Sequence, residues 1–229
     1  MTTAWEWVGQ GAQHGTTILA LHQTAGRGRF HRNWHSNIDE SLTMSIIIQT
    51  NADVAKQLSM IASLGVITGI EHMAGLRPTI KWPNDVQWSG RKLCGILIES
   101  RVNTNGESTV VIGIGLNLSL NLDRYPEIAD STISLSDLTY KAVSTGDCLI
   151  HVLSGVDYHY ERAIGGINPV EEWKSACNTI GKSVVAVGAK GLVEGIAESI
   201  DQDGNLILQT ANGHILSLSS EEISLKYAQ

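Results

Sequence analysis

Between Thr79 and Leu118 four short apolar stretches follow one another: Thr79 to Trp82, Val86 to Trp88, Lys92 to Glu99 and Ser108 to Leu118. The links between them are only Pro83 to Asp85, Ser89 with Gly90, and Asn103 to Gly106. Parallel neighbours need a crossover of a dozen or more residues, so links this short suit hairpins and hence an antiparallel or mixed sheet. Two further strands are expected upstream, at Thr17 to Leu21 and Leu42 to Gln49, where branched residues are bounded by glycine and polar breaks. Between the second of these and Thr79 the period changes. Leu58, Ile61, Ala62, Gly65, Val66, Gly69, Ile70 and Met73 recur at i, i+3, i+4 and i+7, with Asp53 in the first turn and Gly75 and Pro78 as stop signals. Asp147 to Ala163 and Val170 to Cys177 read as two more helices, the second opened by Asn168 and Pro169. The fold class expected is α+β, a mixed, largely antiparallel sheet covered by helices.

The pattern shifts again near Ile180. Ser183 to Val187, Leu192 to Ile200, Leu206 to Gln209 and His214 to Leu218 alternate as short strands, with turns at Gly188 to Gly191, Asp203 to Asn205 and Asn212 to Gly213. A segment of this size without helices fits a small open β-barrel that docks on a larger neighbour. The expected division is residues 1–179 and 180–229. A chain of 229 residues with 42% apolar content can bury the larger core.

No stretch approaches the roughly 18 apolar residues of a membrane span, and Met1 to Gln10 carries Glu6 but no basic cluster or signal-like run. Cys94, Cys148 and Cys177 are odd in number and far apart, which favours reduced packing thiols in a cytoplasmic protein over a disulfide framework or metal site. The net charge of −7 has the wrong sign for a partner that is a nucleic-acid backbone, so no DNA partner is expected. Local basic clusters then become informative.

Gln23 to His35, QTAGRGRFHRNWH, holds Arg27, Arg29 and Arg32, with Gly26 and Gly28 and no acid. Alternating glycine and arginine lets backbone N–H groups turn toward one oxyanion while guanidinium forks grip its oxygens. Phe30 and Trp34 add flat faces on which a base could stack. A solvated surface loop is the plain alternative, but this one follows a buried strand, a common position for ligand-binding segments. It matches neither GxxxxGK[ST] nor GxGxxG. KWPND, Lys81 to Asp85, breaks a strand and presents an amide beside a carboxylate, or is simply a turn. RKLCGILIES, Arg91 to Ser100, places Lys92 before an apolar strand with Gly95 inside it, where a ligand or another backbone comes close. An exposed edge lysine is the alternative there. VIGIGLNL, Val111 to Leu118, has two glycines flanking Ile114 and then Asn117, either a strand thinned for a flat ligand or a bulge.

Taken in order and spacing, QTAGRGR with the following NW, KWPND, RKLCGILIES and VIGIGLN resemble the catalytic core of the biotin protein ligase family, and the tail from Gly181 to Ser224 is similar to the SH3-like barrel of its bacterial members. The resemblance implies a ligase that activates biotin with ATP to biotinyl-5′-adenylate and then transfers biotin to a lysine of a biotin carboxyl carrier protein, by default the acetyl-CoA carboxylase subunit. It implies biotin contacts at Gln23, Gly26, Arg27, Gly28, Arg29, Lys92 and Gly95, and ATP contacts at Arg27, Arg29, Trp34, Lys92 and Asn117. Arg27, Arg29 and Lys92 would offset repulsion between carboxylate and α-phosphate. Asp85 would orient the carrier lysine or take its proton. Mg²⁺ would accompany ATP, held mainly by phosphates and water, with no dedicated protein ligand set. No counterpart to the helix-turn-helix of the repressor-type members precedes the core, and an exposed sheet edge would suit a homodimer.

Two departures accompany the resemblance. Phe30 and His31 stand where the family loop carries a basic residue and a glycine, and the chain begins apparently within the first family helix, so the Ser-Thr-Asn strand that contacts biotin has no counterpart. A weaker biotin grip is the expectation. The alternatives are a binding-only or carrier-docking protein, and a lipoate or octanoyl carrier-protein ligase, a group that generally lacks the pairing of Gly-Arg-Gly-Arg with KWPND.

Overall fold

The computed structural model describes residues 1–103, 106–188, 191–220 and 223–227. Parts of two expected links, residues 104–105 and 189–190, lie outside the described residues, as do 221–222 and 228–229.

Six strands form the first sheet: β1 (Thr17–Ala20), β2 (Ser41–Thr50), β3 (Thr79–Lys81), β4 (Asp85–Trp88), β5 (Arg91–Val102) and β6 (Ser108–Asn117), in the order β1-β2-β6-β5-β4-β3. Every pairing within it is antiparallel; the short links account for β3–β4, β4–β5 and β5–β6, while β1–β2 and β2–β6 pair across longer connections. Parallel geometry survives among the described residues only as isolated bridges, Ile80 to Cys177 and Lys92 to Thr132, so the sheet is less mixed than expected.

One face of this sheet is covered by α2 (Ala52–Ala74), α4 (Thr145–Ile164) and α5 (Val170–Ala176). The Asn51 side chain accepts from the Val54 N–H at the start of α2, and Gly75 takes the left-handed φ of 67° at its end, so both signals in the sequence act as cap and stop. The small residues of α2 have a specific use. An added Cβ on Gly65 would stand 2.6 Å from the Val156 backbone, and one on Gly69 2.8 Å from Val152 Cα. Bare backbone at these positions lets α2 and α4 cross in contact. Trp173 of α5 fills the remaining space, its Nε1 donating to Ser63 Oγ at 2.8 Å.

The opposite face is open over part of its area. Residues paired across antiparallel strands share a face, and the register defines three rows on it. The first runs Ala20, Thr43, Gly115, Gly95, Asp85, Lys81; the second Ile18, Ser45, Gly113, Leu97; the third Ile47, Val111, Glu99. Helix α1 (Thr2–Gly9) covers the third row, packing Ala4 on Ile47 and Val111. The first two rows remain as a floor, with glycines in its centre.

Strands β7 (Ser183–Gly188), β8 (Gly191–Ile200), β9 (Leu206–Thr210), β10 (Ile215–Leu218) and β11 (Ile223–Tyr227) form the second, all-antiparallel sheet in the order β10-β9-β8-β7-β11. The four strands expected here are present, and β11 is a fifth that the sequence pattern missed. It matters, because β11 brings the tail to the first sheet. Tyr227 Oη donates to Asn178 Oδ1 at 3.1 Å, Gln87 Nε2 reaches the same oxygen at 2.6 Å, and Trp82 Nε1 donates to the Gly204 carbonyl at 3.0 Å. A short helix, α3 (Leu135–Thr139), was likewise unanticipated; its Ser134 and Asp137 form a reciprocal capping box.

Candidate active site

A cavity of about 400 Å³ opens on the glycine floor, walled by the arginine loop, the β3–β4 turn and residues Ser224 and Leu225 of β11. Of the residues singled out from sequence, Gln23, Arg27, Gly28, Arg29, Trp34, Asp85, Lys92, Gly95 and Asn117 all line it. Gly26 stands behind the wall. The loop folds back as a narrow hairpin, with Gly28 N–H donating to Arg32 O at 2.7 Å and Trp34 N–H to Gly26 O at 2.9 Å. A side chain on Gly26 would collide with the Trp34 carbonyl and with Gln23 Oε1, so this glycine permits the fold-back rather than touching the cavity.

The three candidate cations are each held by an internal acceptor. Lys92 Nζ stands 2.7 Å from Asp85 Oδ1 and 5.5 Å from the centre of the Trp34 ring. Arg29 donates from Nη1 to Asn84 Oδ1 at 3.1 Å and from Nη2 to the carbonyls of Ser220 and of Ile223, the latter at 2.8 Å. Arg27 Nη2 pairs with Glu99 Oε1 at 3.0 Å. Arg32 donates to Ser224 Oγ at 2.9 Å, so the loop is tied to the second sheet at two points. Phe30 has a left-handed φ of 54° and is exposed. A backbone conformation costly for an aromatic residue thus falls within this loop.

Positive charge is concentrated here. Burial holds Arg29 below the ordinary arginine value, with Asp85 opposing and Arg32 reinforcing the shift. Burial also lowers Lys81; Asp85 pulls it back up, while Lys92, Arg32 and Lys182 push it further down. Five cations, Arg27, Arg29, Arg32, Lys81 and Lys92, line a cavity with one carboxylate, and an anionic ligand would relieve their repulsion. Asp85 is the one carboxylate among the described residues lining the cavity.

The flat slot expected from the glycines exists, and a side chain lies in it. An added Cβ on Gly115 would stand 2.5 Å from Trp34 Cε2, and one on Gly95 3.2 Å from the same ring. Trp34 Nε1 is buried without a hydrogen-bond partner, an unfavourable state for a donor. Gly113 receives the Met1 side chain in the same manner. Asn117 is committed to structure by its amide donor, which serves the carbonyls of Ile133, at 3.1 Å, and Lys92, at 3.4 Å. Sequence reading missed Lys81, Asn84 and Ser224. The first two lie inside KWPND and were legible there as polar groups around a turn; Ser224 carries no local signal at all.

Comparison with known proteins matches this arrangement. Residues 1–117 fit the profile of the biotin/lipoate A/B protein ligase family, and residues 179–226 that of the biotin protein ligase C-terminal domain. The bifunctional ligase/repressor BirA of Bacillus spizizenii is 35% identical over 228 residues, spanning 97% of this chain and 70% of its own. The biotin–[acetyl-CoA-carboxylase] ligase of Paracoccus denitrificans is 32% identical, over 86% of this chain and 85% of its own. Among solved structures, the biotin protein ligase of Aquifex aeolicus in complex with biotin and ATP superposes with a TM-score of 0.81 at 26% identity, covering 95% of this chain and 91% of that one. With family profiles matched over both parts of the chain and a relative 35% identical over 97% of it, the chain belongs to the biotin protein ligase family.

Proposed function

We infer that this chain joins biotin to a carrier protein in two steps, with biotin and ATP as substrates. It activates the biotin carboxylate as biotinyl-5′-adenylate, releasing pyrophosphate, and then transfers biotin to a lysine amine of the carrier, releasing AMP. The observation that carries the site assignment is the convergence of Arg27, Arg29, Lys81 and Lys92 on one cavity whose floor is bare backbone. A carboxylate and an α-phosphate repel each other, and fixed positive charge placed where they meet lowers the barrier to their approach.

In this reading Gln23, Arg27, Gly28, Arg29, Lys92 and Gly95 receive biotin, with Gly26 shaping the loop. Arg27, Arg29, Trp34, Lys92 and Asn117 serve the nucleotide. Lys92 is released from Asp85 when the substrate anions arrive. Asp85, freed of its partner, then accepts a hydrogen bond or proton from the incoming lysine amine as it attacks the mixed anhydride. Mg²⁺ would travel on the ATP phosphates, because it keeps several of its waters and binds substrate phosphates readily. The carrier is the biotin carboxyl carrier subunit of acetyl-CoA carboxylase, a choice supported by the name of the Paracoccus relative. No helix of the described chain is long and apolar enough to cross a membrane. Cys94, Cys148 and Cys177 are free and buried, which suits a reducing compartment, and the reaction is assigned to the cytoplasm on that ground. The barrel boundary is set at residue 180, supported by the change to β-only structure at β7.

The test is incubation with labelled biotin, ATP, Mg²⁺ and carrier, following adenylate and conjugate separately. Both are expected. Adenylate without conjugate would remove the transfer step, and neither product would leave a binding protein. Asp85→Ala is expected to slow transfer from preformed adenylate; unchanged transfer would eliminate its role.

A further inference from the structure

Glu99 lies outside the cavity lining, in the third row of the open face where α1 covers the sheet. Its two oxygens point to different elements. Oε1 stands 3.0 Å from Arg27 Nη2 in the loop, and Oε2 accepts the Trp5 indole N–H from α1 at 2.6 Å. Arg101, two residues further along β5 and on the same face, lies 4.0 Å over the Trp5 ring. The carboxylate is therefore fixed by its own strand and by a clamped tryptophan, while the arginine that it reaches sits on a glycine-flanked loop and is 48% exposed. An ion pair this exposed adds little to folding. Its consequence is geometric.

We propose that Glu99 is a positioning residue for Arg27, holding one end of the guanidinium fork at the edge of the glycine floor so that its other N–H groups meet the biotin carboxylate. This rests on the reading of Arg27 as a biotin-carboxylate contact. Arg27 left free would sample many rotamers, and ordering it would then count against substrate binding. With Glu99 in place, the ordering is complete before biotin arrives. One end of a five-donor fork is occupied, and the remaining donors suffice for a bidentate grip. Trp5 is the third member of the relay, because its N–H fixes the carboxylate rotamer.

The test compares the full chain with Glu99→Gln, Arg27→Ala and the double variant. Glu99→Gln keeps an oxygen for the Trp5 N–H and removes the charge that orients Arg27. Biotin-dependent ATP–pyrophosphate exchange and calorimetric biotin binding are read beside thermal melting. Glu99→Gln is expected to raise the biotin KM and Kd about three- to thirtyfold, with kcat within about twofold and melting unchanged. In the Arg27→Ala background the same change is expected to add nothing, because its effect passes through Arg27. A Glu99→Gln variant with unchanged biotin affinity overturns the proposal, and so does an equal penalty in the Arg27→Ala background. A parent chain that binds biotin but shows no exchange overturns the ligase reading instead.

Discussion

The glycine floor can be tested by adding a single methyl group at Gly115. Its φ is not in the left-handed region, so alanine fits the β6 backbone, and strand propensity alone would favour the change by about 0.5–1 kcal/mol. Space decides otherwise. The new Cβ would stand 2.5 Å from Trp34 Cε2, where ordinary contact begins at 3.4 Å, so the ring must retreat by about 0.9 Å. The ring is tethered by the Trp34 N–H to Gly26 carbonyl bond at 2.9 Å, so the hairpin must move with it. Overpacking of this kind costs about 1–3 kcal/mol, which the propensity gain offsets only in part in the folding equilibrium and not at all in the slot. Gly115→Ala should therefore melt at or a few degrees below the parent, still folded, while binding biotin about 5- to 150-fold more weakly. Calorimetry with biotin and pyrophosphate exchange measure the loss. Gly146→Ala, whose added Cβ has only Ser144 Oγ at 3.8 Å, is the control. If Gly115→Ala binds biotin as the parent does, the floor is not where biotin lies and the argument from the bare backbone fails.

The same substitution at Gly65 should act in the opposite sense. Its Cβ meets the Val156 backbone at 2.6 Å where α2 and α4 cross, so Gly65→Ala is expected to lower urea stability by about 1–3 kcal/mol with biotin KM unchanged; unaltered stability would contradict the close crossing. Burial raises all three thiols, Cys148 to about 12 and Cys94 and Cys177 also above their ordinary value, so a thiol reagent at pH 8 should label none of them in the native protein and all three in denaturant. Prompt labelling of the native chain would be the opposing result. His159 is held below the ordinary histidine value chiefly by burial, with Glu172 opposing and Arg162 reinforcing. The unfolded chain then binds the proton first, so this contribution is complete above about pH 6.5 and is lost as pH falls from there toward the folded value. Urea midpoints measured from pH 7.5 to 5.5 should fall, and fall less in His159→Gln, which keeps a partner for Thr68 Oγ1, now 3.0 Å from His159 Nε2; equal slopes would refute the assignment.

Much of the first sheet was legible because its causes are local. The links between β3, β4, β5 and β6 are too short for crossovers, and the helical period of α2 is bounded by a capping asparagine and a left-handed glycine. The Gly-Arg-Gly-Arg loop announced an anion through composition alone, and its arginines do line the cavity with Lys92. What stayed hidden depends on register. Gly95, Gly115 and Asp85 fall in one row only because β4, β5 and β6 pair as they do, and no spacing rule states which residues of different strands will oppose one another. Strand β11 was missed because its five residues, Ile223–Tyr227, carry too short an alternation to stand out beside the polar sequence before them.

By itself the sequence determined most of the element order, the hairpin pairing of β3 through β6, the change to β-only structure after Ile180 and a local excess of positive charge. These follow from backbone geometry and side-chain chemistry within a few neighbours. The tertiary structure alone decided that Arg27 is held by Glu99, Lys92 by Asp85 and Arg29 by carbonyls of the second sheet, and that the glycine slot is filled by Trp34. Those partners are brought together by strand register and sheet docking, and both emerge only when distant segments share one core.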